Sequence, residues 1–317
     1  MQDPINNFLA QRALLLLDGA LATELERRGA DLLDPLWSAK CLIEQPDLIQ
    51  AVHLDYFRAG ADVATTATYQ ASFEAFARRG LERTAAAAMM RRAVALAAAA
   101  REEFWSGESM RIGRLRPLVA ASIGPYGAML ADGSEYRGGY LADDRTLAEF
   151  HRPRLQVLAG AGADLFAIET IPCLREAIVL ARALEEFPDC SAWMSFSCRD
   201  GTRNCEGEDI GECAAELNSH PQIVAVGVNC TAPQYVTPLL ERMRSRTDKP
   251  LVAYPNSGEH YDGSSKHWSG APETARFGEQ ARGWYEAGAR LLGGCCRTGP
   301  DDIRDAAERL EACLAGS

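Results

Sequence analysis

No stretch of about 20 apolar residues occurs in this chain of 317 residues, so no membrane-spanning helix is expected. The four leucines Leu14 to Leu17 are too few for a secretory signal core and run straight into Asp18. Met1-Gln2-Asp3-Pro4 ahead of them carries no basic charge. Positive charge is in deficit, with 33 Lys and Arg against 44 Asp and Glu, and a net charge of −11 argues against a nucleic-acid backbone as partner. Close cysteine hairpins of the C-x-x-C type are missing, and these make a zinc site legible in a sequence. Asp18-Gly19-Ala20-Leu21-Ala22-Thr23 follows the first apolar run and is not the G-x-G-x-x-G turn of a dinucleotide site. No linker or low-complexity segment divides the chain, so residues 1–317 are expected to form one domain. Ten cysteines without a secretory leader lead to the expectation of reduced thiols and a cytoplasmic location.

What is present is a rhythm. Eight short apolar runs alternate with amphipathic stretches: Leu14–Asp18, Val63–Tyr69, Leu118–Ile123, Leu165–Glu169, Ala192–Ser197, Ile223–Asn229, Leu251–Pro255 and Arg290–Gly294. Their continuous apolar character is that of strands buried on both faces. Helices are expected between them over Asp47–Ala59, Thr84–Phe104, Leu147–Ala159, Leu174–Glu186 and Ala275–Ala287. The phrases Ala59-Gly60-Ala61-Asp62, Ala161-Gly162-Ala163-Asp164 and Ala287-Gly288-Ala289-Arg290 each close a helix and open a strand, with Gly available for a left-handed cap. Eight such units predict an α/β protein of (β/α)8 barrel type. An open doubly wound sheet is the alternative fold.

In a (β/α)8 barrel the chemistry sits at the C-terminal ends of the strands. Those ends carry Asp18, Thr65, Thr66 and Thr68, Ser122, Glu169-Thr170, Ser195 and Ser197, Asn229-Cys230, Asn256 and Cys295-Cys296. Cys230, Cys295 and Cys296 therefore come from the sixth and eighth strands. Three soft ligands with a fourth position open suit a zinc ion that activates a bound thiol. A closed structural zinc site and a set of small buried hydrophobes are the other readings of the same cysteines. The seven remaining cysteines have no ligand-like spacing, although Cys198 and Cys205 lie in a polar loop where oxidation is plausible. Asp18 and Glu169 either cap local backbone or receive a substrate ammonium, with Thr68 and Asn229 beside them. The nearby amides Gly19-Ala20 and Thr170-Ile171 are candidate carboxylate binders. The long loop after the third strand carries Tyr126, Glu135, Tyr136 and Tyr140, which reads either as an aromatic lid or as a site for a sulfonium or ammonium ion. His53 and His151 fall within helical stretches, His260 follows the seventh strand, and Arg111, Arg114 and Arg116 read as a solvated loop.

These residues resemble the homocysteine S-methyltransferase family. The resemblance is carried by Leu17-Asp18-Gly19-Ala20-Leu21-Ala22-Thr23-Glu24-Leu25, Ser122-Ile123-Gly124-Pro125-Tyr126-Gly127-Ala128, Phe166-Ala167-Ile168-Glu169-Thr170-Ile171-Pro172, Gly227-Val228-Asn229-Cys230 and Gly293-Gly294-Cys295-Cys296-Arg297-Thr298. Asp132–Gly138 and Tyr254–Glu259 look like the branch that prefers S-methylmethionine, which includes homocysteine and selenocysteine methyltransferases. The resemblance implies a (β/α)8 barrel with zinc on Cys230, Cys295 and Cys296. It implies homocysteine bound to the metal through sulfur, with Asp18 and Glu169 near its amino acid end. A sulfonium donor, S-methylmethionine or S-adenosylmethionine, would bind near Tyr126, Glu135 and Tyr136. Thr170 stands where the betaine-using branch has a tyrosine, which argues against betaine. The expected reaction is methylation of homocysteine to methionine. Selenocysteine methylation, zinc-dependent hydrolysis on the same barrel, and a zinc-stabilised thiol-rich binding protein are the alternatives. No nucleic-acid or membrane partner is expected, and the oligomeric state is left open.

Overall fold

A computed structural model describes residues 3–31, 38–262, 267–270 and 276–315, without the side chains of residues 38–39 and 260–268. Eight parallel strands make one sheet. They are β1 (Leu15–Leu16), β2 (Val63–Thr65), β3 (Leu118–Ile123), β4 (Leu165–Ile171), β5 (Ala192–Phe196), β6 (Ile223–Asn229), β7 (Leu251–Tyr254) and β8 (Ala289–Leu292). Neighbours in sequence are neighbours in the sheet, β8 pairs with β1, and a parallel bridge from Leu17 to Val63 closes the ring. This is the (β/α)8 barrel that the alternation predicts, and it sets aside the open sheet.

The strands are buried on both faces because each face meets a different core. Leu15, Leu17, Val63, Ala120, Leu165, Ala167, Trp193, Ala225, Val252, Tyr254 and Leu291 fill the lumen, with Ile5 and Phe8 of the N-terminal helix Pro4–Leu9 joined to them. The alternate residues, among them Leu16, Ala64, Val119, Phe166, Met194, Val226 and Leu292, pack against the surrounding helices. The main helices are Pro46–Ala59, Arg83–Ser106, Asp144–Ala159, Leu174–Leu184, Pro233–Arg244, Phe277–Glu286 and Pro300–Ala315. Gly60, Gly162 and Gly288 all take positive φ, as the repeated helix-to-strand phrase requires.

Two expectations change. The run Val63–Tyr69 is not one strand: it ends at Thr65, and the Thr68 N–H turns back to the Thr66 carbonyl at 2.7 Å. Arg114 is not simply solvated, since it donates to the Ala61 carbonyl and pairs with Asp62 at 3.1 Å. His53 and His151 are fully buried. The His260 side chain lies outside the described residues. Among the described residues no helix is long and apolar enough to cross a membrane.

One glycine limits how closely β6 and β7 approach. A Cβ on Gly227 would stand 1.8 Å from the Val252 carbonyl oxygen, a backbone atom that cannot swing aside. Gly227→Ala should therefore cost about 3 kcal/mol or more in urea unfolding. Gly160, with φ −94° and open space around it, provides the control. Gly160→Ala should be neutral or stabilise by up to about 1 kcal/mol. Equal midpoints for the two variants would contradict this packing.

Candidate active site

Strand β7 is the hinge of the site. Its Ala253 pairs with Val228 of β6 on one side and Leu292 of β8 on the other, which levels the ends of the two flanking strands. Beyond those ends the Cys230 N–H donates to the Tyr254 carbonyl at 3.1 Å, and the Cys295 N–H to the Pro255 carbonyl at 2.7 Å. Two consecutive carbonyls of one chain thus fix both cysteine backbones. The three sulfurs of Cys230, Cys295 and Cys296 lie within 4.8 Å of one another. Cys230 and Cys296 sulfurs are 3.6 Å apart, and Cys230 is joined to Cys295 by a disulfide. The expectation of reduced thiols throughout is corrected at this pair, which barrel closure holds with Cα atoms only 5.4 Å apart.

Backbone strain collects here. Thr170, Cys230 and Arg297 have φ of 61°, 45° and 70°, a region that a β-branched threonine rarely enters. Asn229 holds Thr170 in place. Its Oδ1 accepts from the Thr170 N–H at 2.7 Å and the Ser195 hydroxyl at 2.8 Å, and its Nδ2 donates to Thr170 Oγ1 at 2.8 Å. The same Nδ2 faces the Cys295 sulfur at 3.9 Å. The Asn229 amide is therefore saturated by protein groups and orients its neighbours.

Asp18 and Glu169 flank the lumen mouth and are 4% and 8% exposed. Asp18 accepts from the Thr65 N–H at 2.7 Å and hydroxyl at 2.9 Å. Glu169 accepts from the hydroxyls of Ser122 and Tyr254. Tyr254 is fixed in turn by the Trp193 indole N–H at 2.9 Å and by Ser195 at 2.7 Å. Burial pushes Asp18 up to about 8, against its Thr65 hydrogen bonds, and Glu169 up to about 7, against its two hydroxyl donors. A cation arriving between them would restore both charges.

The loop after β3 completes the mouth. Tyr136 hydrogen-bonds Cys296, yet burial still drives that thiol up to about 12. Glu135 beside it is 8% exposed, is raised to about 7 by burial, and has one oxygen, Oε2, with no hydrogen-bond partner. Tyr69 packs its ring over Gly124 and hydrogen-bonds Thr170. Tyr69 and Tyr254 were not singled out in the sequence. The first was hidden in an overlong strand, and the second is the inward-facing last residue of β7.

Other sequence candidates fall elsewhere. Thr68 is fully buried, with its hydroxyl on the Ser122 carbonyl at 2.7 Å and on Thr66 at 2.7 Å. It braces the strand that carries Ser122 and offers no open group to a substrate. The Tyr126 ring packs on Tyr140 at 5.5 Å and Phe150 at 5.2 Å, at the base of the loop. Two proposed carboxylate-binding amides are already spent, Ala20 on the Thr298 carbonyl at 3.2 Å and Thr170 on Asn229. Cys198 and Cys205 are about nine-tenths buried, and burial pushes Cys198 up and Cys205 to about 11, so both are poor targets for oxidation.

The donor set fits a soft metal. Three thiolates at about 2.3 Å from one tetrahedral ion would lie about 3.8 Å apart, close to the 3.6 Å between Cys230 and Cys296. The disulfide uses two of the three sulfurs and must be reduced before such an ion can bind. Fold and site together define a barrel enzyme with a thiol centre ringed by acids. The homocysteine S-methyltransferase family profile matches residues 15–310. The chain is 53% identical over 305 residues to homocysteine S-methyltransferase YbgG of Bacillus subtilis, covering 96% of this chain and 97% of that one. The metallated and oxidised crystal forms of homocysteine methyltransferase MmuM from Escherichia coli each superpose with a TM-score of 0.88 at 45% identity, over 97% of this chain and 100% of the other. The chain belongs to the homocysteine S-methyltransferase family, and with it to the enzymes that methylate the sulfur of homocysteine.

The two raised acids predict a pH effect. A folded-state pKa above the unfolded one means that the native chain retains protons. The associated stability is full below about pH 4 and is lost as pH rises through 7 to 8. Metal-free protein should therefore lose stability between pH 5 and 8.5 relative to the Asp18→Asn/Glu169→Gln double variant, read from urea midpoints. A difference between wild type and double variant that stays flat over that window would show that both acids are already anions in the folded chain.

Proposed function

We propose that this enzyme transfers a methyl group from a sulfonium donor, S-methylmethionine first and S-adenosylmethionine second, to homocysteine bound at zinc on Cys230, Cys295 and Cys296. The observation that carries the reading is the convergence of three sulfurs within 4.8 Å at the mouth of the barrel, with a buried, half-unpartnered carboxylate beside them. Zinc held by these thiolates would lower the pKa of an incoming thiol and keep it as a nucleophile.

The chain's own residues supply the rest. Asp18 and Glu169 receive the homocysteine ammonium, whose charge offsets the cost of ionising two buried acids. Asn229 fixes Thr170 and faces Cys295. Glu135 and the rings of Tyr69 and Tyr136 present negative charge and π faces to a positive sulfur, worth about 0.5–2 kcal/mol per good cation–π contact. In the transfer one carbon–sulfur bond forms on homocysteine and one breaks on the donor. The homocysteine thiol gives up its proton to solvent as it binds, and the donor departs as a neutral thioether. No general base acts during transfer, and water exclusion by the loop protects the thiolate. Residues that would position and activate an attacking water are not required, which distinguishes this reading from zinc-dependent hydrolysis.

Two outcomes test it. Protein isolated with the Cys230–Cys295 disulfide should take up about one zinc per chain only after thiol reduction, and Cys296→Ala should lose methyl transfer by at least about a thousandfold while keeping its far-UV circular dichroism. With the reduced, zinc-replete enzyme and homocysteine, a panel of S-methylmethionine, S-adenosylmethionine and betaine should give methionine fastest from S-methylmethionine. Betaine as best donor would overturn the donor assignment, and full activity in metal-stripped protein would overturn the metal.

A further inference from the structure

One buried carboxylate outside the thiol centre has a role that the transfer chemistry does not explain. Glu176, on the first turn of the helix Leu174–Leu184, is fully buried and fully hydrogen-bonded. Its Oε1 accepts from the Tyr126 N–H at 2.6 Å and lies 2.8 Å from His151 Nε2, and its Oε2 accepts from the Tyr140 hydroxyl. Tyr126 and Tyr140 bracket the loop whose middle carries Glu135 and Tyr136. One carboxylate therefore ties both ends of that loop, one oxygen to each.

The surroundings suit a clasp. Burial keeps His151 neutral, with Arg154 adding to that effect, and raises Glu176 to about 8, so the two share a hydrogen bond and are not an ion pair. Phe150, the neighbour of His151 on the helix Asp144–Ala159, stacks edge-on against the Tyr126 ring at 5.2 Å and against the His151 ring at 4.8 Å. From the same helix Arg154 donates to the carbonyls of Gly124 at 3.0 Å and Tyr69 at 2.9 Å, the residues that flank the loop's entry. Inside the loop the chain folds tightly on itself, for a Cβ on Gly127 would meet the Glu135 nitrogen at 2.7 Å. The tip is then fixed by the Ser197 hydroxyl on the Glu135 carbonyl at 2.8 Å. Compact loops with close ends are commonly functional, and their geometry is set at the base.

We propose that Glu176, oriented by His151, is a positioning residue that clasps the base of the 126–140 loop and thereby holds Glu135 and Tyr136 over the thiol centre. Neither Glu176 nor His151 touches substrate. The consequence for the donor side rests on the function proposed above, whereas the clasp itself does not. Losing one hydrogen bond to this buried carboxyl group should be enough to loosen the loop.

The test uses the reduced, zinc-loaded full chain with Glu176→Ala, Glu176→Gln and Tyr140→Phe. Tyr140→Phe removes one hydroxyl from a half-exposed ring and decides the matter should Glu176→Ala fail to fold. Amide hydrogen exchange followed by mass spectrometry should rise across residues 124–142 in Glu176→Ala and Tyr140→Phe and stay unchanged in the strands. Glu176→Gln, which keeps an acceptor, should restore most of the protection. The KM for S-methylmethionine should rise at least about fivefold, while that for homocysteine stays within about twofold. Unchanged exchange in Tyr140→Phe, exchange that rises throughout the barrel, or equal rises in both KM values would overturn the clasp. If the wild type does not use S-methylmethionine at all, the donor assignment falls, and the exchange pattern alone still decides the clasp.

Discussion

The backbone of β7 is the constraint on which the site depends. Sixty-five residues separate Cys230 from Cys295, yet both donate their N–H groups to consecutive carbonyls, Tyr254 at the end of β7 and Pro255 just past it. That arrangement exists because Ala253 is paired on both sides, and because Gly227 lets the Val252 carbonyl occupy the place of a side chain. Parallel strands in a closed barrel end at one face. A residue just beyond the end of β6 and another just beyond β8 are then neighbours by topology alone. The barrel strands deliver the thiols together with Asp18 and Glu169, and the loop after β3 adds Glu135.

That charge is one-sided. Asp18, Glu135 and Glu169 surround the thiol centre, each more than nine-tenths buried and each pushed up by burial. Without ligands the mouth holds acids that prefer to be neutral and a Cys296 thiol far from ionising. Every species in the proposed reaction that enters it is a cation or carries one: a metal ion, an ammonium and a sulfonium. The same low polarity that raises these acids strengthens attraction to each of them. It also favours a step in which sulfonium charge disappears.

Much of this was legible in the sequence because it is periodic or terminal. The eight apolar runs and the Ala-Gly-Ala phrases carry the barrel, and the ends of Ile223–Asn229 and Leu118–Ile123 match the observed strands. Asp18, Glu169 and the three cysteines stand at strand ends where a barrel concentrates its chemistry, and the structure brings them to one mouth. What was hidden depends on side-chain direction. Thr68 and Tyr69 are adjacent in a segment that reads as strand, but the chain turns after Thr65, burying one and aiming the other at Thr170. Tyr126 and Tyr136 look equivalent in a tyrosine-rich loop, yet one packs at its base and the other reaches Cys296. Glu176 sits on the amphipathic helix Leu174–Leu184 with no local sign that it faces inward to the loop. The Cys230–Cys295 bond follows from proximity in three dimensions, which spacing along the chain cannot convey.

The central claim is that Cys230, Cys295 and Cys296 form a three-sulfur metal site whose remaining position belongs to the substrate. X-ray absorption at the zinc edge on reduced, zinc-loaded protein measures this directly. Three sulfur scatterers at about 2.3 Å without homocysteine and four with it are predicted. A first shell that does not change when homocysteine is added would contradict the account and mark the thiols as a closed structural centre.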